Sequence, residues 1–142
     1  MEGHCILFTD KFLAAVVSIA AFAHPEQLMR RWFASRRVPY WPLAWSINRA
    51  LERVIGASFN DIAPVNTVVK AKCPVLLVHS RQDTVVPLSD AHRIWRQGSQ
   101  PKVALIECDG THESFDDVDG AIRSILQFVQ RATDESTHAS TV

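Results

Sequence analysis

CPVLLVHSRQDTVVP, residues 73–87, joins an unbroken apolar run to a charged turn. The run Val75–Val78 has no polar alternation, which is typical of a parallel strand buried on both faces. Pro74 is tolerated at the start of such a strand because its missing N–H is needed least there. The stretch therefore predicts a buried strand near 74–80 whose carboxyl end presents the carboxylate of Asp83.

Two further apolar segments predict strands parallel to this one. AAVVSIAAF at 14–22 is a continuous apolar run, and KVALIEC at 102–108 has the apolar centre VALI. Residues with helical spacing occupy the intervening segments and a last stretch at about 117–131. Alternation of strand and helix favours parallel strands joined by right-handed crossovers. The sequence thus predicts an α/β fold with about three parallel strands and flanking helices.

The segment 25–63 is too long for a simple crossover and predicts a lid-like helical insertion. Pro25 suits the first turn of a helix, and Gly56 is typical of a helix end. Aromatic residues such as Trp32 and Trp41 could shape an apolar substrate pocket, although packing against the core is the more frequent role of such side chains. The tail, residues 133–142, is polar without periodicity and predicts disorder.

Composition excludes several classes of protein. With 142 residues, of which 47% are apolar, the chain predicts one domain, 1–142, with a sizeable core. The 15 basic and 15 acidic residues balance, so no general attraction to nucleic acid is expected. The apolar run 13–23 is shorter than the ~20 residues that a membrane-spanning helix needs. Its AFA ending leaves a signal peptide as an alternative, although no positively charged segment precedes it.

Three cysteines, Cys5, Cys73 and Cys108, are widely spaced. An odd number at this spacing indicates neither a disulfide framework nor a zinc site. A reducing compartment, the cytoplasm, is the simplest context. We expect no metal and no organic cofactor.

Polar residues gather at the predicted carboxyl ends of the strands, where functional groups of parallel sheets lie. Asp83 follows the second strand, and His112 lies in DGTHESFDD after the third. A carboxylate that accepts a hydrogen bond from imidazole Nδ1–H fixes the tautomer and stabilises the imidazolium. We therefore expect Asp83 to orient His112, and His24, which follows the first strand, could line the same edge of the sheet as a substrate contact. The rival carboxylates are Asp90, Asp109, Asp116 and Asp117, of which the last two are more typical of the start of the final helix. His79, inside a strand, is more typical of a core histidine.

At these residues the sequence resembles the C-terminal part of the α/β-hydrolase superfamily, in its serine esterase and lipase branch. Residues 80–87 are similar to the family's G-x-x-D-x-x-V-P loop, with Ser80 at the glycine position, and 110–112 match its G-x-H loop. The resemblance covers about 13–131. It implies that Asp83 is the acid and His112 the base of a hydrolase acting on carboxylic esters or related small acyl substrates.

The family nucleophile belongs in G-x-S-x-G, and this motif does not occur in the sequence. The nearest imitation is GHCIL at 3–7, which places Cys5 at the nucleophile position but lacks the second glycine. We therefore expect the chain alone to be inactive. A truncated, non-catalytic fragment or a partner-binding module is the alternative, and an aspartate nucleophile, as in dehalogenases and epoxide hydrolases, is a third. The unpaired edge of the 14–22 strand predicts self-association, unless residues 4–9 cover that edge as an extra strand.

Overall fold

A parallel three-stranded sheet forms the centre of the molecule. The computed structural model describes residues 13–139, with side chains described as far as Ser136. Its strands are β1 (Val16–Ile19), β2 (Val75–Ser80) and β3 (Val103–Cys108), in the order β1-β2-β3. Both pairings are parallel, which confirms the predicted strands and fold class. β1 is shorter than predicted because Ala20 adopts a left-handed φ of 53°, which ends the extended backbone.

Helices fill the segments between the strands. They are α1 (Pro25–Ser35), a kinked turn (Tyr40–Ala44), α2 (Trp45–Ile55), α3 (Phe59–Ile62), α4 (Pro64–Thr67), a 3-10 turn (Val68–Lys70), α5 (Leu88–Gln97) and α6 (Val118–Ala139). Residues 25–63, here called the lid segment, contain helices and no strand, as predicted. Gly56 ends α2 with a φ of 77°, and its N–H donates to the carbonyl of Glu52. Among residues 13–139, no helix combines the length and the apolar content that crossing a bilayer requires.

One face of the sheet builds the core. In-register residues Val16, Val75 and Val103 point to the same face and are buried. They form one cluster with Leu77 of β2, Ile94 of α5 and residues of the α4 region. An unbroken apolar strand is thus covered by helices as its composition predicted, and this packing fixes where the carboxyl ends of β2 and β3 emerge.

The prediction of a disordered tail from residue 133 is wrong for residues 133–139, because α6 continues to Ala139. Extending an existing helix adds one backbone hydrogen bond for each residue fixed, so polar residues can prolong it. The hydroxyl of Thr133 also donates to the carbonyl of Val129, and that of Ser136 to the carbonyl of Thr133.

The apolar stripe of α6 is only partly covered. Ala121 and Ala132 are buried and Phe128 is half-buried. Four apolar residues spaced along one face of the helix are 36–55% exposed: Val118, Ile122, Leu126 and Val129. The helix therefore carries a wider apolar surface than the sheet described here covers. Ile19, on the β1 edge, is exposed to a similar extent.

Candidate active site

The turn after β2 holds the Asp83 carboxylate in one orientation. The Asp83 Oδ1 atom accepts hydrogen bonds from the backbone N–H groups of Val85 and Val86, both at 2.8 Å. The side chain has no solvent exposure. An aspartate that bonds to the backbone just after itself is a frequent turn former. Here this bonding occupies Oδ1 and leaves Oδ2 directed to another partner.

The loop after β3 carries His112 on a tight turn. The N–H of Thr111 donates to the carbonyl of Ser114 at 2.8 Å, so the two residues between them form the tip. Gly110 has a φ of 134°, and a Cβ placed on it would lie 2.3 Å from the Ser114 carbonyl oxygen. Glycine is required here because no other residue fits this approach without strain.

Backbone hydrogen bonds join the two loops. The Gln82 N–H donates to the Gly110 carbonyl at 3.3 Å, and the Gly110 N–H donates to Gln82 Oε1 at 2.6 Å. The Arg81 N–H donates to the Cys108 carbonyl at 2.8 Å. We call these joined loops, residues 80–87 and 109–116, the rim. Sequence reasoning missed Gln82, which no motif marks.

The predicted contact between Asp83 and His112 forms across the rim. His112 Nδ1 lies 2.7 Å from Asp83 Oδ2, and the imidazole is 35% exposed. Burial alone would raise the pKa of Asp83, but the hydrogen bonds from His112, Val86 and Val85 outweigh it and hold that pKa below its usual value. The carboxylate is therefore ionised at neutral pH, and the Nδ1–H of His112 donates to it.

This arrangement leaves His112 Nε2 free to exchange a proton. Nε2 has no hydrogen-bond partner among residues 13–139. An imidazole held through Nδ1 in this way can act as a general base and then as a general acid. Burial raises the pKa of the Cys73 and Cys108 thiols, which disfavours the reactive thiolate. Cys5 lies outside the described residues.

Three of the four rival carboxylates have other partners. Asp90 pairs with Arg31, Asp109 pairs with Arg81, and Asp117 accepts from the N–H of Gly120 at the start of α6. Within residues 13–139, no three His, Cys, Asp or Glu side chains are grouped so that they could hold a metal ion. Asp83 is thus the carboxylate that contacts His112.

The other three predicted site residues lie in the lid segment or at its start. His24 caps α1, because its Nδ1 accepts from the Glu26 N–H, and its Nε2 lies 2.8 Å from Asn60 Oδ1. Trp32 packs edge-on against Phe33. Trp41 is 74% exposed. None of the three forms a hydrogen bond or ring contact with Asp83 or His112, and both His24 nitrogens are engaged within the protein.

Comparison with known proteins identifies the fold. The Bacillus subtilis protein YqkD is 32% identical over 110 residues, which are 78% of this chain and 35% of YqkD. The Pyrococcus furiosus esterase PF2001 superposes with a TM-score of 0.60 at 16% identity, covering 89% of this chain and 47% of the esterase. A Paleococcus ferrophilus monoacylglycerol lipase superposes with a TM-score of 0.56 at 16% identity, covering 86% and 60%. No protein-family profile matches the sequence.

These matches agree with the architecture described above. The chain has a partial α/β-hydrolase fold, and its structural neighbours include esterases and lipases. It spans about a third of the length of YqkD and about half of that of the esterase.

Proposed function

We propose that Asp83 and His112 are the acid and the base of a hydrolase site for carboxylic esters or related small acyl compounds. The observation that carries this proposal is the 2.7 Å hydrogen bond between a fully buried carboxylate and a partly exposed imidazole. The pair stands at the carboxyl ends of adjacent parallel strands, where such sheets bind ligands. Support for the substrate class comes from the names of the neighbours, an esterase and a monoacylglycerol lipase.

In the proposed reaction His112 moves one proton in each half. Its Nε2 takes the proton of a nucleophilic hydroxyl as that oxygen bonds to the acyl carbon, and returns it to the departing alkoxide. A water then attacks the acyl carbon by the same route, which releases the acid and restores the hydroxyl. Asp83 keeps Nδ1 protonated and stabilises the imidazolium. Residues 13–139 hold no nucleophile against His112, so we propose that a segment outside them supplies it.

We propose Trp32 and Trp41 as contacts for the apolar part of the acyl group. Trp41 is 74% exposed and Trp32 is 46% exposed, so both present surface to a ligand, although the Arg36 guanidinium lies over the Trp32 ring at 4.2 Å from its centre. His24 was a third candidate, but its ring caps α1 and bonds to Asn60, which supports a structural role.

A hybrid protein tests the proposed site. In it, the 110 matched residues of YqkD are replaced by the corresponding part of this chain, and hydrolysis of p-nitrophenyl acetate is measured. We expect the hybrid to be active, and Asp83→Asn or His112→Ala to lower kcat by about 10³–10⁴-fold because the base loses its tautomer or is absent. His92→Ala, a histidine that pairs with Glu107 instead, is the matched control. Activity that survives His112→Ala would contradict the proposal.

The isolated chain provides a second measurement. We expect negligible hydrolysis of short p-nitrophenyl esters and no burst, because no nucleophile reaches His112 within the described residues. A burst that Cys5→Ala abolishes would instead identify Cys5 as the nucleophile. We also propose a cytoplasmic location, which the two free thiols of Cys73 and Cys108 support.

A partner-binding module is the second candidate function, and the exposed apolar surface favours it. β1 pairs with β2 on one side, and no other described strand pairs with it. Ile19 on this edge and the apolar stripe of α6 are both about half exposed. We propose that copies of the chain associate through the 14–22 edge. Sedimentation over a concentration series should show oligomers that Ile19→Lys weakens, and a monomer at every concentration would contradict this.

A further inference from the structure

A second histidine lies directly behind the Asp83–His112 pair. The His79 side chain, near the end of β2, has no solvent exposure. Its Nε2 lies 2.8 Å from the Val86 carbonyl oxygen and 3.6 Å from Asp83 Oδ2. His79 therefore links β2 to Val86 and lies beside the carboxylate of Asp83 in the same turn.

The hydrogen bond to Val86 fixes the position of the His79 proton. A carbonyl oxygen can only accept, so the proton resides on Nε2 and points at Val86. His79 Nδ1 is buried without a hydrogen-bond partner among the described residues. A buried polar atom without a partner costs about 1–3 kcal/mol, so packing alone would favour an apolar residue here. Its presence suggests that the Nε2–H donor has a specific purpose.

Val86 forms hydrogen bonds with both Asp83 and His79. The Val86 N–H donates to Asp83 Oδ1, and the Val86 carbonyl accepts from His79. The N–H belongs to the peptide group before the Val86 Cα and the carbonyl to the one after it, so the two bonds hold Val86 from both sides. Without the bond from His79, the backbone of Val86 could turn and weaken its N–H bond to Oδ1, which would leave the Val85 N–H as the remaining backbone donor. The direction of Asp83 Oδ2 toward His112 Nδ1 would then be less firmly held. The described residues provide no other side-chain bond to the Val86 carbonyl.

We propose that His79 is a positioning residue, which holds the Val86 carbonyl, fixes the backbone of Val86 and thereby helps to aim the Asp83 carboxylate at His112. The inference rests on the proposed function for its catalytic meaning. The geometry can nevertheless be measured without any substrate or nucleophile. It also predicts that a side chain with an N–H at the Nε2 position should replace histidine.

The experiment compares variants of the full chain by NMR. His79→Leu removes the donor, whereas His79→Gln places an amide N–H near the position of Nε2. His92→Leu is the matched control, because His92 pairs with Glu107 away from the turn. Two signals are followed: the low-field Nδ1–H proton of His112, and the carboxyl carbon of Asp83 during an acid titration.

We expect His79→Leu to lose the low-field His112 signal and to shift the midpoint of the Asp83 titration upward, towards the ordinary value of about 3.9. His79→Gln and His92→Leu should keep both signals as in the unchanged protein. A folded His79→Leu with unchanged signals would overturn the proposal. If His79→Leu does not fold, His79→Asn replaces it, because its shorter amide cannot reach the Val86 carbonyl. Unfolding of both, with His79→Gln folded, would assign His79 a purely structural role and also overturn the proposal. Inactivity of the YqkD hybrid would count against the proposed function while leaving this result intact.

Discussion

The rim and the lid segment are attached to the rest of the molecule by different kinds of contact. Rim loops start from strands paired in register, Ser80 beside Cys108, and backbone hydrogen bonds continue the pairing beyond the strand ends. The lid segment is joined to α5 mainly by side chains: Arg31 bonds to Asp90, and Gln27 accepts from Arg93. Backbone contacts persist through most substitutions, whereas a side-chain contact ends with one. The lid segment should therefore be more sensitive to single changes.

The largest loss in the free energy of unfolding is expected where the lid segment contacts α5. Asp90 is 3% exposed, and its carboxylate accepts two hydrogen bonds from Arg31 and one from the Ala23 N–H. Arg31→Ala leaves a buried charge with a single donor. We expect the free energy of unfolding in urea to fall by about 3 kcal/mol.

Arg49→Ala is the matched control, because Arg49 pairs with Glu52 at 3.0 Å and its side chain is 59% exposed. Its loss should stay below about 1 kcal/mol. Equal losses for the two variants would show that the Arg31–Asp90 pair does not anchor the lid segment.

The next largest loss is expected at a glycine of the rim, and it tests whether a backbone position there is as sensitive to substitution as Arg31. Gly110→Ala forces a Cβ to 2.3 Å from the Ser114 carbonyl oxygen at a φ of 134°. We expect it to lower the free energy of unfolding by about 2 kcal/mol. Gly56→Ala, also at positive φ but with nothing within 4 Å, is the control and should cost about 1 kcal/mol. A Gly110→Ala cost no larger than that of Gly56→Ala would refute the close approach.

A smaller effect is expected in the pH dependence of the free energy of unfolding. The pKa of Asp83 is lowered in the folded state, so the unfolded chain binds the proton more tightly. The carboxylate therefore stabilises the fold above the unfolded pKa of about 3.9, and this contribution is lost as pH falls through the lower folded pKa. Urea titrations between pH 6 and pH 2 (roughly the range in which this proton binds) should show a steeper acid loss than in Asp83→Asn. Parallel curves would mean that Asp83 is not stabilised as a carboxylate.

The smallest effect on stability is expected at Trp41. Its indole is 74% exposed, so Trp41→Ala should change the free energy of unfolding by no more than about 0.5 kcal/mol. In the YqkD hybrid, the same change should raise KM for p-nitrophenyl butyrate more than for the acetate, if Trp41 contacts the acyl chain. Equal KM changes for both esters would remove Trp41 from the proposed substrate contacts.

The strands and the Asp83–His112 contact could be predicted from sequence because they depend on the order of residues along short stretches of the chain. An unbroken apolar run indicates a buried parallel strand, and parallel strands bring the residues that follow them to the same edge. Two residues at two strand ends thus become neighbours without any knowledge of packing. The glycine of the G-x-H loop is likewise visible, since its positive φ is a local property.

Roles that depend on distant partners could not be predicted. His24 was expected to face a ligand, but it caps α1 and meets Asn60, which is 36 residues away. His79 was predicted as a core histidine, and its burial confirms this. Its bond to the Val86 carbonyl, however, requires the folded turn. The apolar stripe on α6 was visible in the spacing of its residues, but that spacing does not indicate how much of the stripe the sheet covers.

The reciprocal hydrogen bonds between Gln82 and Gly110 have a consequence for how the rim exchanges with solvent. Each amide proton is held by a group on the other loop. The Gln82 amide is released to deuterium when its backbone bond to Gly110 opens, whereas the Gly110 amide is also released when the Gln82 side chain rotates away. The Gly110 proton should therefore exchange at least as fast as the Gln82 proton. The Gln82 rate would report how often the two loops separate beside Asp83 and His112.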